Sequence, residues 1–208
     1  VSDLVRVARM NKSGAKVKPQ IATAAYWQLF ANRNSRIRQL NQLDDKMVAM
    51  TRYAVTDMLA DHVVDSAKLK SERVFKVQIN DVNVRLQMML NNEMDAMFVT
   101  EPQATLARLA KHKVLLDTRK MNWHMGVIAF REKPMKDVDR KRQYDVFVKA
   151  YNQACDSINK NGIARYAHLM EKYCRTRSAV LDSIPKTKFP HAVGPREKDV
   201  LRAEKYIK

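Results

Sequence analysis

Residues 51–56, Thr-Arg-Tyr-Ala-Val-Thr, carry side chains that can hold an anion. They follow the apolar run 47–50, which has the length of a buried strand, and they lead into an amphipathic helical pattern. Hydroxyl groups, the free N–H groups of a helix start and the guanidinium of Arg52 all bind anionic head groups. The alternative is that a threonine caps the helix and that Arg52 faces solvent.

The stretch 92–113 has the same plan, with a strand, a helix and a second strand. The run 96–99 predicts a buried strand, Thr100 offers a hydroxyl at the helix N-cap, and Pro102 follows where its missing N–H costs nothing. Open α/β sheets bind ligands where a strand ends at a helix N-terminus, because free N–H groups point outwards there. The stretch therefore predicts either part of a binding site or one βαβ unit of an ordinary core.

These two stretches lie in a chain whose first 130 residues alternate between strands and helices, as in an α/β protein. Ser2-Asp3 can cap a helix that runs to about Asn11. The other expected elements are strands over 17–25, 47–50, 74–79, 96–99, 114–116 and 124–130, an extended segment over 26–32, and a short helix from Ser35. The Met-rich pattern over 82–90 is typical of a helix that fills a core. His124, alone beside an apolar strand, indicates a structural role.

From Asp137 onward the pattern is helical. Apolar residues recur at three- and four-residue spacing, which predicts a long amphipathic helix that ends at Asn161-Gly162. Two shorter helices follow over 163–173 and 178–184, and a proline-rich loop over 185–195 precedes a last helix over 196–207.

The formal net charge is +17, which is compatible with nucleic acid, an anionic membrane surface, an anionic ligand or a solvated basic surface. The densest basic cluster, 131–142, has no interleaved aromatic residues, so it does not predict a stacking platform for nucleic acid. We therefore expect no nucleic-acid partner. No run of 18 apolar residues is present, which argues against a membrane-spanning helix.

The two cysteines, Cys155 and Cys174, fall on predicted helices on either side of the turn near Gly162. Along an antiparallel helix pair they would be offset by roughly 9–10 Å. A disulfide requires Cα atoms within about 7 Å. We expect free thiols, and no cysteine or histidine set has zinc spacing, so we expect no metal and no cofactor.

A motif within 92–113 gives the sequence a family resemblance. Asn92-x-x-Asp95-Ala96 followed by Glu101-Pro102-x-Ala104-Thr105-x-Ala107 resembles a segment of the extracytoplasmic solute-binding proteins of ABC importers, in the branch for sulfonates, nitrate and thiamine-pyrimidine precursors. Weaker agreement extends over nearly the whole chain, including the helix pattern Phe147-x-x-Ala150-Tyr151-x-x-Ala154-x-x-x-Ile158-Asn159. The sequence departs from the family at three glycine positions, which hold Asp45, Asn92 and Lys111.

The resemblance implies an α/β, type II periplasmic-binding-protein-like fold with two lobes, each with a mostly parallel sheet flanked by helices, and a helical C-terminal tail. Lobe two is expected over 35–122, and lobe one over 1–34 and 123–208. Family members begin with about one more βαβα portion, so we expect the N-terminal part of lobe one to lie outside this sequence.

The implied activity is capture of a small solute in a cleft and its delivery to a membrane permease, with no catalytic residues. The implied compartment is the periplasm or the outer face of the cytoplasmic membrane, with or without a lipid anchor, and the protein is expected to be a monomer. Glu101 is either a ligand acceptor or a carboxylate that stabilises a helix start. The expected ligand-binding residues are Ser2, Asp3, Thr23, Tyr26, Thr51, Arg52, Tyr53, Thr56, Thr100, Glu101 and Trp123.

Three other classes of protein are compatible with parts of this pattern. The effector domain of a LysR-like transcription regulator has the same fold, but the helical tail and the Glu-Pro motif favour the importer protein. Thiamine-pyrimidine synthases share the fold and are enzymes; they carry a cysteine-rich motif that this sequence lacks. A basic nucleic-acid-binding protein is the third alternative, and a steep salt dependence of DNA binding would identify it.

Overall fold

The structure is a computed structural model that describes residues 1–207. It divides the chain into two compact units. The first combines residues 1–25 with 124–207, and the second is the continuous segment Tyr26–Trp123.

Strands are interspersed with helices up to residue 131, and the later elements are helical, as predicted. The first unit opens with β1 (Ser2–Asp3), α1 (Leu4–Lys12) and β2 (Val17–Ala22). The second unit contains β3 (Gln28–Ala31), β4 (Lys46–Met50), α2 (Val55–Ser66), β5 (Val74–Gln78), α3 (Val82–Leu90), β6 (Ala96–Val99), α4 (Gln103–Leu109) and β7 (Lys113–Asp117). The first unit is completed by β8 (Gly126–Arg131), α5 (Val138–Asn161), α6 (Ala167–Cys174) and α7 (Glu197–Tyr206).

The second unit is built on a five-stranded sheet in the order β5-β4-β6-β3-β7. β4 pairs in parallel with β5 and β6, whereas β3 lies antiparallel between β6 and β7. Four strands therefore share one direction. Phe30, Met97 and Val99 of the sheet pack with Leu86 and Met89 of α3 in one buried cluster, which confirms that the Met-rich helix fills a core.

The first unit contains a three-stranded sheet in the order β1-β8-β2, and both pairings are antiparallel. This arrangement differs from the mostly parallel sheet that we expect for each lobe. β1, α1 and β2 do form a strand-helix-strand crossover, but β8 is inserted between the two strands. Because β8 begins more than 100 residues later in the chain, no local pattern reveals this insertion.

Residues 26–32 do not continue the strand β2. The chain leaves β2 at Ala22, and β3 starts a new strand in the centre of the sheet of the second unit. The short helix expected from Ser35 is also wrong, because only two 3-10 turns form there, Arg33–Ser35 and Leu40–Leu43. Arg36 has a left-handed φ of 59°, which ends the first turn.

The predicted long helix is confirmed as α5. Asp137 caps its N-terminus by accepting a hydrogen bond of 2.9 Å from the Arg140 N–H, and Gly162 ends it with a φ of +76°. The predicted free thiols are confirmed as well, with Cys155 buried in α5 and Cys174 half-buried at the end of α6.

Candidate functional site

The loops that follow β4, β6 and β7 lie at one edge of the five-stranded sheet. β3 runs in the opposite direction, and its first residue Gln28 pairs with Val99 at the end of β6 and with Asp117 at the end of β7. β4 is parallel to β6, so its carboxyl end at Met50 faces the same edge. Both polar stretches singled out in the sequence are therefore at this edge, which is where open α/β sheets bind ligands.

Residues 51–56 form a turn whose threonines bond to each other. The Thr51 N–H donates to Thr56 Oγ1 at 2.9 Å, and the Thr56 hydroxyl donates to the Thr51 carbonyl at 3.2 Å. Both threonines are buried, whereas Arg52 and Tyr53 are exposed. The threonines therefore shape the turn that presents Arg52 and Tyr53.

The turn is also tied to the first residues of α2. Tyr53 has a left-handed φ of 60°, and its N–H donates to Asp57 Oδ2 at 2.9 Å. Lys76 on β5 donates to Asp57 and to Asp61 at 2.9 and 2.7 Å. Burial would lower the pKa of Lys76, but the hydrogen bonds to the two carboxylates outweigh it and raise the pKa. Hydrogen bonds to α2 therefore hold the turn that carries the exposed residues Arg52 and Tyr53.

Thr100 does not cap α4. The helix begins at Gln103 with Pro102 at the N-cap, and Thr100 contributes only its carbonyl, which accepts from the Ala104 N–H at 2.8 Å. The predicted N-cap is therefore wrong. The proline lies two residues after Thr100, and the helix starts only after it.

The Glu101 carboxylate is fully engaged by its own unit. Its Oε2 accepts from the N–H and the hydroxyl of Thr105 at 3.0 and 2.7 Å, and its Oε1 accepts from the Tyr26 hydroxyl at 2.6 Å and from Arg108. Burial alone would raise the Glu101 pKa, but these hydrogen bonds hold it below its usual value. The contact with Thr105 is the helix-stabilising role that we considered for this carboxylate.

A second acidic side chain at the edge, Asp117, pairs with Arg119. The guanidinium donates to the carboxylate from Nε at 3.1 Å and from Nη2 at 2.6 Å, and Gln28 donates to the same carboxylate at 2.8 Å. Burial alone would raise the Asp117 pKa, whereas the hydrogen bonds from Arg119 and Gln28 lower it. Asp117 is therefore held as an anion beneath Arg119.

Tyr26 connects the Glu101–Arg108 pair and the Asp117–Arg119 pair into a closed ring of contacts. The Arg119 guanidinium lies over the Tyr26 ring, with 3.9 Å from its central carbon to the ring centroid. Arg108 donates to Gln28 Oε1 at 2.6 Å, which links Glu101 back to Asp117. Burial and the hydrogen bond to Glu101 raise the Tyr26 pKa, so the tyrosine stays protonated. We call Tyr26, Gln28, Glu101, Arg108, Asp117 and Arg119 the edge ring.

Trp123 follows the edge ring in the chain and packs against α2. Its N–H donates to the Thr118 carbonyl at 3.0 Å, and its indole lies 4.8 Å from the His62 ring on α2. Trp123 is half-buried in this contact. Its packing partner thus belongs to α2, which carries no member of the edge ring.

In the first unit, the three predicted residues Ser2, Asp3 and Thr23 lie at one end of the three-stranded sheet. Ser2 pairs with Val127 of β8, and the Thr23 N–H donates to the Gly126 carbonyl at 2.9 Å. Asp3 is buried and accepts from the Arg6 N–H at 3.0 Å, so it caps α1 as predicted. The Asp3 carboxylate therefore has a structural role, which is to stabilise the start of α1.

Four members of the edge ring were not predicted: Gln28, Arg108, Asp117 and Arg119. Asp117 and Arg119 follow a strand in the same way as the predicted residues do, so the rule that singled out residues 51–56 and Thr100 also applies to them. Gln28 and Arg108 have no such signal. Gln28 lies 89 positions from Asp117 and 80 from Arg108, and Arg108 lies seven positions after Glu101.

Within residues 1–207, no three His, Cys, Asp or Glu side chains are grouped so that they could hold a metal ion. In the same described part of the chain, no helix has both the length and the apolar character needed to cross a membrane.

No protein-family model matches the chain, and no curated protein matches it in sequence. Among solved structures it is similar to the periplasmic aliphatic sulphonate binding protein SsuA from Escherichia coli, with a TM-score of 0.72 and 16% identity over 99% of this chain and 72% of that one. It is also similar to the alkanesulfonate-binding protein SsuA from Xanthomonas axonopodis pv. citri bound to MOPS, with a TM-score of 0.77 and 14% identity over 99% and 71%.

A third similar structure is the desulfurization enzyme DSZB, with a TM-score of 0.68 and 10% identity over 99% of this chain and 76% of that one. These likenesses confirm the predicted fold class: the chain has the α/β periplasmic-binding-protein fold with a helical C-terminal tail. Because the similar structures include binding proteins and an enzyme, the fold alone does not decide between capture and catalysis.

Proposed function

We propose that this protein is the solute-binding component of an ABC-type importer. It captures a small polar or anionic solute that contains nitrogen or sulfur, of the sulfonate, nitrate or thiamine-precursor type, and performs no chemical reaction. The protein then delivers the solute to a membrane permease.

The observation that carries this proposal is the shared edge of the five-stranded sheet, where the loops after β4, β6 and β7 meet. This edge presents an exposed Arg52 and the guanidinium of Arg119, while the neighbouring carboxylates Glu101 and Asp117 are engaged by hydrogen bonds. Exposed cations beside neutralised carboxylates suit an anionic or strongly polar solute. Two of the similar structures are sulfonate-binding proteins.

In the proposed mechanism the two compact units act as lobes. A solute that binds the closed state more tightly than the open state shifts the population towards closure. The proposed ligand-binding residues of the second lobe are Arg52, Tyr53 and the edge ring, and those of the first lobe are Ser2 and Thr23. The buried threonines Thr51 and Thr56 act indirectly, because they shape the turn below Arg52.

The proposed place of action is the periplasm or the outer face of the cytoplasmic membrane, with or without a lipid anchor. The partners are the solute and the permease, and the binding protein acts as a monomer. Nucleic acid is not among the proposed partners.

A thermal-shift screen with sulfonates, nitrate, thiamine and aminopyrimidines tests this function. A ligand at a hundred times its dissociation constant stabilises the folded state by about 2.7 kcal/mol, so one class should raise the melting temperature clearly. If none of these classes does so while an unrelated class does, the proposal is wrong.

A paired substitution tests whether Arg52 belongs to the site. For an anionic ligand, Arg52→Ala should weaken binding by more than a few-fold. Arg38→Ala is the matched control, since Arg38 is also exposed but lies between the carboxyl end of β3 and the amino end of β4, away from the proposed edge. Equal affinities of the two variants would remove Arg52 from the site.

A further inference from the structure

We propose that Arg119 is an anion-binding residue of the second unit and that it holds two oxygens of one oxyanion head group, such as a sulfonate, a nitrate or a carboxylate. This inference rests on the proposed function and adds to it a specific residue and a specific head-group geometry.

Arg119 is fixed in position by two contacts. Its Nε and Nη2 both donate to the Asp117 carboxylate, at 3.1 and 2.6 Å, and one face of its guanidinium lies on the Tyr26 ring. The Asp117 side chain is only 4% exposed, whereas the Arg119 side chain is 45% exposed. A buried carboxylate thus orients a guanidinium that reaches solvent.

The contacts with Asp117 use only one edge of the guanidinium. Arginine has five N–H donors in a rigid planar fork, and Asp117 occupies those on the Nε side. The two donors of Nη1 and the second donor of Nη2 have no acceptor among residues 1–207. Nη1 and Nη2 form the end of the fork, which matches two oxygens of a carboxylate or a similar oxyanion.

Asp117 and Tyr26, the two residues that position Arg119, are themselves held by hydrogen bonds to other residues. Gln28 donates to Asp117, Arg108 donates to Gln28, and the Tyr26 hydroxyl donates to Glu101. A guanidinium that is already oriented loses little conformational entropy on binding, which favours affinity. Arg119 is therefore pre-organised, whereas no side-chain hydrogen bond among the described residues holds the exposed Arg52.

The charges in the edge ring also predict how binding responds to salt. Glu101 and Asp117 balance Arg108 and Arg119, so the ring has no formal net charge. Binding at Arg119 then depends on hydrogen-bond geometry and should respond weakly to ionic strength, because screening acts on net charges that are exposed. Binding through Arg52, which has no carboxylate partner among the described residues, should respond more strongly.

Arg52 and Arg119 lie on loops that follow different strands of the sheet. They follow β4 and β7, which are separated by three strand spacings in the sheet order. At about 4.8 Å per spacing this corresponds to roughly 14 Å. The two arginines can therefore be tested independently.

The experiment is isothermal titration calorimetry on the whole chain with MOPS, ethanesulfonate, nitrate and acetate, at low and at high salt. The variants are Arg119→Ala, Arg119→Lys and Lys120→Ala. We expect both Arg119 variants to weaken the tightest oxyanion at least tenfold, because lysine keeps the charge but lacks the fork. Lys120→Ala removes one charge from the neighbouring exposed residue and should change affinity by less than twofold.

Circular dichroism and the melting temperature show whether the variants fold. Asp117 keeps its hydrogen bonds from Gln28 and from the Arg119 backbone N–H, so we expect folded proteins. Oxyanion binding that is unchanged in both Arg119 variants, or lost equally in Lys120→Ala, overturns this inference and leaves the proposed function standing. If the unaltered protein binds thiamine or an aminopyrimidine but no oxyanion, the inference alone fails. If it binds no solute of either panel, both proposals fail.

Discussion

His112 is a buried histidine whose environment requires the neutral imidazole. It is 6% exposed, and its Nδ1 accepts a hydrogen bond of 3.1 Å from the Arg33 backbone N–H. A protonated imidazole has no free acceptor. Burial, and after it the charge of Arg33, lowers the His112 pKa below 6.5.

This shift predicts a loss of stability as the solution becomes acidic. Because the unfolded chain binds the proton more readily, the contribution of His112 is complete above about pH 6.5 and is lost as the pH falls through the lower pKa of the folded state. We expect the free energy of unfolding, measured by urea denaturation, to fall between pH 7 and pH 5.

The matched variant is His112→Gln, which keeps an acceptor but does not titrate. Its stability should depend less on pH over this range than that of the unaltered protein. His124, whose pKa is also lowered by burial, contributes in the same direction, so His124→Gln serves as a reference for a single histidine. Identical slopes for the unaltered protein and His112→Gln would show that His112 does not carry the effect.

At the residue scale, the sequence reveals side chains that follow a strand but not the partners that hold them. Arg52 and Glu101 could be found because each comes directly after an apolar run. The pairing of the edge-ring residues with one another could not, since Gln28 meets Asp117 and Arg108 across 89 and 80 positions of the chain. Pairings at such separations depend on strand order, which local patterns do not contain.

At the scale of elements, three turns explain how this chain departs from the family pattern. Asp45, Asn92 and Lys111 stand where the family has glycine, and all three have a left-handed backbone, with φ of 59°, 64° and 62°. Asp and Asn tolerate this conformation, so their presence could be understood from the sequence. Lys111 could not, and the structure shows that it adopts the same conformation at a cost of about 1–2 kcal/mol.

The backbone conformation at the end of α5 is more restrictive than that of these three turns. Gly162 has φ of +76° and ψ of 161°, a region that is essentially restricted to glycine. Space is not the constraint, because an added Cβ would meet no atom within 4 Å. Gly162→Ala should therefore lower the free energy of unfolding by about 1–3 kcal/mol through backbone strain alone.

Gly194→Ala is the matched control for this substitution. An added Cβ at Gly194 also meets no atom within 4 Å, and Gly194 does not have a positive φ. Its replacement should be neutral or stabilise by up to about 1 kcal/mol, because alanine restricts the unfolded chain. Urea denaturation followed at 222 nm compares the two variants, and equal stabilities would contradict the strain at Gly162.

At the scale of the whole molecule, the positive charge is unevenly distributed. Residues 1–25 and 124–208 carry 24 Lys and Arg against 11 Asp and Glu, whereas residues 26–123 carry 15 against 11. The total of +17 suggested several anionic partners, yet the edge that we propose as part of the binding site belongs to the less basic unit. The net charge of the chain therefore reflects mainly the surface of the first unit, and it does not indicate where the binding site lies.

The continuous segment 26–123 should fold on its own. All four strand pairings of the five-stranded sheet lie inside it, as does the buried cluster around Phe30, Met89 and Met97. A domain of this size has a stability of roughly 5–15 kcal/mol. Both tryptophans of the chain, Trp27 and Trp123, are in this segment, so their fluorescence reports its unfolding. We expect one cooperative urea transition that coincides by fluorescence and by circular dichroism.

The shorter segment 35–122 is the matched control, and it is also the lobe boundary predicted from the sequence. It lacks β3, the strand that joins β6 to β7, so β7 loses its only partner in the sheet and Phe30 leaves the core. The segment 35–122 contains neither tryptophan, so circular dichroism follows its unfolding. Since a central strand cannot be removed without exposing both neighbours, the segment should show no cooperative transition. A segment 35–122 that folds as well as 26–123 would show that β3 is dispensable and would support the boundary near residue 35.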